Sequence, residues 1–303
     1  MKILITGSNG LLGQKLVKRC IKLGINFVAT SKGENRNLDC PSTNYVNLDI
    51  TDQEAIEFIF QKEIPTAIIH TAAITNVDHC EIDPELCRKV NVNATQNLFT
   101  AAKKIKAHFQ LLSTDFVFDG EKGNYSETDS VHPLSVYAQS KVDGEALLIA
   151  DSYANWSISR TIIVYGTGHG LSRSNLILWA IDALPKGELM KVVDDQFRAP
   201  TWADDLAYGC LEIVIRSQTG IFHLSGPETY SIVELVRLTA DSMQISAQNL
   251  ETISSITLNQ SAVRPPKTGF NLQKAKDLLD YKPQSFSSTI PLLIKEIEQL
   301  KRS

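Results

Sequence analysis

The sequence has few cysteines, no excess of basic residues and no long apolar run. Its five cysteines are odd in number, lie scattered along the chain and form no C-x-x-C pair, which argues against a disulfide framework and a zinc site. A formal net charge of −4 without a basic stripe argues against nucleic acid or anionic membrane as the main partner. We therefore expect reduced thiols, no metal site and a small-molecule ligand.

The amino terminus leaves no room for a secretory leader. Met1 to Thr6 has the apolar character of a buried strand and runs straight into a glycine turn, so a charged segment, an apolar segment and a cleavage site are missing. No apolar run approaches the ~18 residues of a membrane-spanning helix. These absences predict a cytoplasmic protein, and 303 residues with 43% hydrophobic content are enough for two linked lobes.

Short β-rich segments alternate with helical patterns through the first half of the chain. Residues 2–5 and 67–70 are apolar throughout, as expected where helices cover both faces of a parallel sheet. This order predicts an α/β fold with a doubly wound, Rossmann-like parallel sheet. The predicted strands and helices are Ile3–Thr6, Leu11–Leu23, Asn26–Thr30, Gln53–Gln61, Thr66–Thr71, Glu85–Lys104, Phe109–Ser113 and Val136–Ile149.

The regular alternation weakens after about residue 165. We predict a nucleotide-binding domain over residues 1–165 and a smaller, discontinuous α/β substrate lobe over residues 166–303. Segments rich in Gly, Pro and polar residues, such as 166–174, read as loops of this lobe. One helix, residues 202–216, is expected to return to the first domain.

A glycine-spaced turn, G-x-x-G-x-x-G at Gly7, Gly10 and Gly13, follows the first strand and opens a helix. Glycines there permit a tight turn and close approach of the backbone to a pyrophosphate, and the helix N-terminus supplies donors. Gln14 follows the third glycine where a P-loop has lysine, so a P-loop is excluded. The turn predicts a dinucleotide site that includes Leu11 and Leu12, and a purely structural turn is the alternative.

The end of the second strand indicates which dinucleotide binds. An enzyme that selects NAD usually places an acidic residue there, but this chain has Ser31 and Lys32, with Arg36 nearby. Hydroxyls and a cation suit a 2′-phosphate, so we favour NADPH over NADH. Further cofactor contacts are expected from Asp49 and Ile50 after the next apolar run, and from Ala72 and Ala73 at a strand end.

Three residues in the middle of the chain predict the chemistry. Tyr137 and Lys141 are four residues apart, so they share one face of a helix, and Thr114 ends a strand. Reduction of a ketone needs a hydride donor and a proton donor at the oxygen. We expect Tyr137 to give the proton, Lys141 to lower the pKa of its phenol and to contact the cofactor, and Thr114 to donate to the same oxygen.

These motifs resemble the dTDP-4-dehydrorhamnose reductase family of the extended short-chain dehydrogenase/reductase superfamily. Residues 113–120, STDFVFDG, are similar to the family run S-T-D-Y-V-F-D-G, and residues 133–145, PLSVYAQSKVDGE, to P-x-N-x-Y-G-x-S-K-x-x-G-E. The match continues in order at residues 160–166, 195–201, 220–226 and 264–265. The resemblance implies NADPH-dependent reduction of C4 of dTDP-4-dehydro-L-rhamnose, with Thr114, Tyr137 and Lys141 as catalytic residues.

The resemblance also implies a substrate side of the cleft. Val77, Asp78 and Arg264 are expected there, together with Thr114 and Tyr137. Ile163 stands where the family often has a Trp against the nucleotide sugar, which removes a large flat surface. Lys15 replaces an acidic residue through which some members bridge dimers by magnesium, so no such metal is predicted, although a homodimer is compatible with the family.

The sequence is also compatible with two other functions. One keeps the fold but makes the protein a reductase, epimerase or dehydratase of another nucleotide-linked sugar. A dehydratase would be expected to carry Asp-Glu beside Thr114, whereas the chain has Asp115 and Phe116. The other reading is a non-catalytic NADP-binding subunit similar to the regulatory subunit of methionine adenosyltransferase, because fold alone does not determine function.

Overall fold

The computed structural model describes residues 1–172 and 174–301. Arg173 of the predicted loop 166–174 and the last two residues of the predicted substrate lobe lie outside this range. The central feature is a sheet of seven parallel strands in the order β11-β6-β5-β4-β1-β2-β3. Its strands are β1 (Lys2–Thr6), β2 (Asn26–Ser31), β3 (Tyr45–Asn47), β4 (Ala67–His70), β5 (His108–Thr114), β6 (Trp156–Thr161) and β11 (Gly220–His223). The predicted doubly wound α/β fold is confirmed.

Helices cover both faces of this sheet. Within β1, Ile3 and Ile5 face a core that includes residues of α1 and α8, whereas Leu4 faces a core built from α2, α5 and α6. The uniformly apolar strands follow from this arrangement, because each face of the sheet is buried. The helices of this layer are α1 (Leu11–Leu23), α2 (Gln53–Glu63), α5 (Ala94–Lys104), α6 (Val136–Ile149) and α8 (Ala203–Ile215).

The predicted helix Glu85–Lys104 is less regular than its sequence pattern. The short helix α3 (Val77–Ile82) precedes it. The predicted helix itself begins as α4 (Pro84–Arg88), which continues through one wide π-helical turn, Lys89–Asn93, into α5. Asn91 lies in that turn and its amide contacts the backbone of Ile74, at 2.8 and 3.0 Å, and Ser140 Oγ at 3.0 Å. Its amide therefore ties the segment after β4 to α6. A wide turn of this kind often marks a functional site.

The second half of the chain adds short strand pairs and helices. Three two-stranded pairs, β7–β10, β9–β12 and β8–β13, accompany a separate apolar core to which α7, α9 and α11 contribute. The bounds are β7 (Val164–Tyr165), α7 (Leu176–Ala183), β8 (Met190–Val193), β9 (Phe197–Arg198), β10 (Thr201–Trp202), β12 (Tyr230–Ser231), α9 (Ile232–Ser242), β13 (Leu250–Ile253), α10 (Gln273–Leu279) and α11 (Phe286–Leu300).

Two elements of the second half lie against the central sheet. Helix α8 packs against α1, and β11 pairs with β6 as the edge strand. The sequence patterns pointed to the helix but not to the strand, because four residues carry little periodicity. The division into domains at residue 165 stays a prediction. In residues 1–172 and 174–301, no helix combines the length and the apolar character needed to cross a membrane.

Candidate active site

The glycine turn forms a cradle with no room for side chains. Gly7 has φ +70°, and a Cβ there would lie 2.8 Å from the backbone nitrogen of Ala72. A Cβ on Gly13 would lie 2.3 Å from the carbonyl oxygen of Gly7. Gly10 precedes α1 without a side-chain cap, so the first N–H groups of that helix face the turn. This backbone-lined turn at a helix N-terminus fits a pyrophosphate.

A cleft of about 950 Å³ lies at the carboxyl ends of the parallel strands, where α/β sheets usually bind ligands. All the predicted cofactor residues and catalytic residues line it, although they come from distant parts of the chain. They are Gly7, Gly10, Leu11, Leu12, Gly13, Ser31, Lys32, Asp49, Ile50, Ala72, Ala73, Thr114, Tyr137 and Lys141. Val77, Ile163 and Arg264 of the predicted substrate side line it as well, and Asp78 does not.

At one end of the cleft, Lys32 and Asp49 form an ion pair at 2.8 Å. The hydrogen bond from Lys32 and those from Thr51 lower the pKa of Asp49 to about 2. The Lys32 side chain is 80% exposed, so the pair is screened by solvent and contributes little to stability. Ser31 and Arg36 line the same end. Lys32 and Asp49, both predicted to contact the cofactor, thus contact each other.

Thr114, Tyr137 and Lys141 lie together on the wall of the cleft. Thr114 ends β5, and Tyr137 and Lys141 lie one turn apart on α6. Ser135 is the N-cap of α6, and its Oγ accepts from the Ala138 N–H at 3.2 Å. All three residues are buried. The Thr114 side chain lies beside the Tyr137 hydroxyl, close enough to lower its pKa. The geometry therefore places a phenol, a hydroxyl and a cation within one small region.

Burial controls the protonation of this group. Burial raises the pKa of Tyr137 above its ordinary value, and the hydrogen bond from Thr114 only partly opposes it. The lowering of this pKa by Lys141, which the sequence led us to expect, is not among the effects that act on Tyr137 in this structure. Burial lowers the pKa of Lys141 to about 8, against the charge of Glu145. At neutral pH the phenol keeps its proton and Lys141 is largely charged.

A buried polar network behind Thr114 was not predicted from the sequence. Asp115 accepts hydrogen bonds from Thr114, at 3.1 Å, and from Thr268. The buried guanidinium of Arg198 lies 3.9 Å from Asp115 and donates to the carbonyl oxygen of Pro265 at 2.6 Å. The only signal was that Arg198 falls in the family-like run 195–201. The network joins the end of β5 to the segment that carries Arg264.

Asp78 has a different place from the one predicted. It does not line the cleft but accepts from Arg264 at 2.5 Å and from the Ala262 N–H at 3.1 Å. Arg264 itself lines the cleft. The carboxylate of Asp78 therefore orients the cation at the cleft wall, which is an indirect role on the predicted substrate side.

Ile163 lines the cleft in the turn between β6 and β7, with φ +33°. A β-branched residue rarely adopts a positive φ, and the strain of such a backbone is of order 1–3 kcal/mol. Strained residues of this kind cluster at functional sites because the surrounding packing holds them in place. Ile163 presents a small branched surface to the cleft where the family pattern has an aromatic ring.

Lys15 occupies the position where some members of the family have an acidic residue that binds magnesium. Its ammonium is buried and lies 2.9 Å from both Asp204 of α8 and Glu296 of α11. The charge of Lys15 is thus satisfied inside one chain, where two carboxylates face it. Among the residues of known placement, no group of three or more His, Cys, Asp and Glu side chains is arranged to hold a metal ion.

The parallel sheet, the glycine turn and the grouped threonine, tyrosine and lysine define an oxidoreductase of the extended short-chain dehydrogenase/reductase class. The chain belongs to the family described as the RmlD substrate binding domain, whose sequence model matches residues 1–299. This family assignment confirms the resemblance seen in the sequence.

Known proteins agree with that assignment. The chain is 30% identical to a dTDP-4-dehydrorhamnose reductase of Aggregatibacter actinomycetemcomitans, over 95% of this chain and 97% of that protein. It is 29% identical to the methionine adenosyltransferase 2 subunit beta of Xenopus laevis, over 84% of this chain and 75% of that protein. The crystal structure of the Bacillus anthracis dTDP-4-dehydrorhamnose reductase in complex with NADP superimposes with a TM-score of 0.85, covering 97% and 99% of the chains at 24% identity, which concerns the fold alone.

Proposed function

We propose that this protein uses NADPH to reduce the C4 ketone of dTDP-4-dehydro-L-rhamnose, giving dTDP-L-rhamnose. The observation that carries the proposal is the grouping of Thr114, Tyr137 and Lys141 on the wall of the cleft that the glycine turn opens. Relatives named dTDP-4-dehydrorhamnose reductase support the substrate class.

The residues of the cleft fit a dinucleotide. Gly7 and Gly13 leave space where any Cβ would collide with backbone, and the open N-terminus of α1 supplies donors for a pyrophosphate. Ser31, Lys32 and Arg36 would hold a 2′-phosphate, which favours NADPH over NADH. When bound, NADPH supplies the hydride. Lys32 exchanges its exposed contact with Asp49 for the phosphate at little cost, because the pair is weak.

Tyr137 holds the proton for the reaction. Since burial keeps its phenol protonated at neutral pH, Tyr137 can donate to the carbonyl oxygen of the sugar as negative charge develops there. Thr114 lies beside the phenol and would stabilise the same oxygen by turning its hydroxyl from Asp115 to the substrate. Lys141, one helical turn away on α6, lines the same cleft and would hydrogen-bond the cofactor, the second of the two roles that the sequence predicts for it.

The substrate side of the cleft supplies a cation and apolar walls. Arg264, held by Asp78, faces the cleft and suits the anionic diphosphate of a nucleotide sugar. Val77 and Ile163 line the same cavity and would contact the apolar parts of the substrate. The small surface of Ile163 leaves more room than a Trp, so a different keto-sugar is the nearest variant of this proposal.

A regulatory role is the second candidate function. It is favoured by the relatives named methionine adenosyltransferase 2 subunit beta, which match the chain at 29% identity. In that case the cleft would bind NADP without turnover. The buried Thr114, Tyr137 and Lys141 argue for the enzyme, because a purely binding subunit has no use for a proton donor at this place.

The test is NADPH consumption by the purified protein with enzymatically generated dTDP-4-dehydro-L-rhamnose, run beside NADH, with identification of the sugar product. Formation of dTDP-L-rhamnose with a preference for NADPH supports the proposal. Tight NADPH binding without turnover of this or other nucleotide-linked keto-sugars would support the regulatory role instead. Light scattering and fractionation of cells check the accompanying expectations of a homodimer and a cytoplasmic location.

A further inference from the structure

Two buried cysteines, Cys80 and Cys87, lie beside Tyr137. Cys80 is on α3 and Cys87 is on α4, and both are 0% exposed. They pack in one apolar cluster with Tyr137 and Ala262. The two thiols lie close enough for Cys80 to affect the pKa of Cys87. The proposed reduction uses neither sulfur atom.

The surroundings of Cys87 differ from those of the other buried thiols. Its sulfur lies 3.4 Å from Ser140 Oγ and 3.5 Å from Asn91 Nδ2. The contact with Cys80, together with Ser140, Lys141 and Asn91, lowers the pKa of Cys87 to about 7, although burial acts in the opposite direction. In contrast, burial raises the pKa of the thiols of Cys20 and Cys210 to about 12 and of Cys40 to about 11. Cys87 thus differs from the other buried thiols in lying beside groups that favour its thiolate.

We propose that Cys80 and Cys87 are a peroxide-sensitive pair whose oxidation to a disulfide switches off the adjacent active site. The thiolate of Cys87 attacks one oxygen of hydrogen peroxide, the O–O bond breaks, and a sulfenic acid and hydroxide form. The sulfur of Cys80 then attacks the sulfenic sulfur and displaces its oxygen as water. In total, two thiols and one peroxide give one disulfide and two waters.

Access to the pair is compatible with this chemistry. Hydrogen peroxide is close to water in size and needs only a small opening. The covering helix α3 has only six residues and ends at Asp83, where α4 begins. A helix of one to two turns has few internal hydrogen bonds, so α3 opens locally at lower free energy than the sheet.

The disulfide would disturb the site through two contacts. Cys87 would leave Ser140, whose Oγ donates to the Tyr137 carbonyl oxygen at 2.7 Å. Movement of α3 would displace Val77 and the carboxylate of Asp78 that orients Arg264. Displacement of a positioning group by about 1 Å costs up to ~100-fold in rate, so we expect turnover to fall at least about tenfold. NADPH binding should persist, because the glycine turn is not touched.

Mass spectrometry tests the modification independently of the reaction. The chain has no Lys or Arg between positions 63 and 87, so trypsin releases both cysteines in one peptide, residues 63–88. After treatment of the reduced protein with hydrogen peroxide, that peptide should be about 2 Da lighter and resist alkylation, and dithiothreitol should reverse both changes. NADPH binding and NADPH consumption are measured on the same samples.

Matched variants separate the pair from general oxidation. Cys80→Ser and Cys87→Ser should each prevent the disulfide and protect turnover from peroxide, whereas Cys40→Ser should behave as the unmodified chain. A peptide 63–88 that stays fully alkylatable after peroxide overturns the proposal, as does equal inactivation of the double variant Cys80→Ser/Cys87→Ser. If the protein turns over no substrate, the mass change still decides whether the pair is redox-active, separately from the proposed reaction.

Discussion

Thr114, which ends β5, donates through its hydroxyl to the Asp115 carboxylate at 3.1 Å. The same side chain lies beside the phenol of Tyr137, which α6 carries, and lowers its pKa. Both residues line the cleft. Asp115 therefore fixes the threonine that faces the proposed proton donor.

Tyr137→Phe should abolish most turnover, because the variant keeps the ring and loses the proton. General acid catalysis contributes typically 10²–10⁴-fold, so we expect a loss of about that size in kcat with little change in NADPH binding. Steady-state kinetics and fluorescence titration check this. Tyr153→Phe, which removes a hydroxyl that donates to the Ala107 carbonyl at 2.8 Å, is the matched control and should keep full activity. Normal turnover by Tyr137→Phe would remove Tyr137 from the chemistry.

Asp78→Asn should weaken binding of the nucleotide sugar. The amide keeps the shape of the side chain but loses the charge that orients Arg264 at 2.5 Å. Loss of one charged hydrogen-bond partner costs ~1.5–3 kcal/mol. The KM for the nucleotide sugar should therefore rise about tenfold or more, while kcat and the Kd of NADPH stay near their original values. Asp143→Asn, which removes a pair with the exposed Arg88 at 3.2 Å, is the control. An effect on kcat alone would contradict the orienting role of Asp78.

The sequence predicted the parts of the site that depend on local pattern. The bounds of α1 and α6, the glycine turn, and the lysine one turn after the tyrosine follow from periodicity and spacing within about 15 residues. The contact between Asp78 and Arg264 joins residues 186 positions apart, and the contact between Asp115 and Thr268 joins residues 153 apart. Such pairs depend on how the elements pack, so no local pattern records them. The strained φ of Ile163 belongs to the same group.

Lys32→Ala should reduce the preference for NADPH. If Lys32 binds the 2′-phosphate, its loss should raise the KM for NADPH about tenfold and leave the KM for NADH almost unchanged, since charge-assisted contacts to phosphate are stronger than neutral hydrogen bonds. Lys104→Ala is a matched control, because Lys104 also forms an exposed ion pair, with Glu57 at 2.8 Å. An equal rise in the KM values for NADPH and NADH would show that Lys32 does not bind the 2′-phosphate.

Gly13→Ala should destabilise the protein and weaken dinucleotide binding. The added Cβ would lie 2.3 Å from the Gly7 carbonyl oxygen, so the turn must shift, and backbone atoms cannot move aside as a flexible side chain can. Thermal unfolding and NADPH titration measure both effects. Gly144→Ala on α6 is the control, because its nearest contact would be 3.4 Å from the Asn91 carbonyl oxygen and alanine favours a helix by about 1 kcal/mol. Equal unfolding temperatures and equal NADPH affinities of the two variants would contradict the conclusion that the turn has no room for a side chain at Gly13.

Turnover should fall as the pH rises above about 8, because Lys141, with a pKa lowered to about 8 by burial, then loses its charge. The lowered pKa of Lys141 also makes the free energy of unfolding depend on pH. Between pH 8 and the ordinary value of 10.5, the unfolded chain binds more protons at Lys141 than the folded chain, so this residue makes the free energy of unfolding rise with pH.

Lys141→Met isolates both effects. The variant should lose most turnover, and denaturant unfolding at pH 7.5 and 9.5 should show that its stability gains less with pH than that of the unmodified chain. Lys274→Met is a useful comparison, because burial also lowers the pKa of Lys274, which lies away from the cleft and donates to the Ile221 carbonyl oxygen at 2.7 Å. The turnover of Lys274→Met should still fall above pH 8, as it does in the unmodified chain. If Lys141→Met kept the original pH profile of kcat, the charge of Lys141 would not be the group that titrates in the reaction.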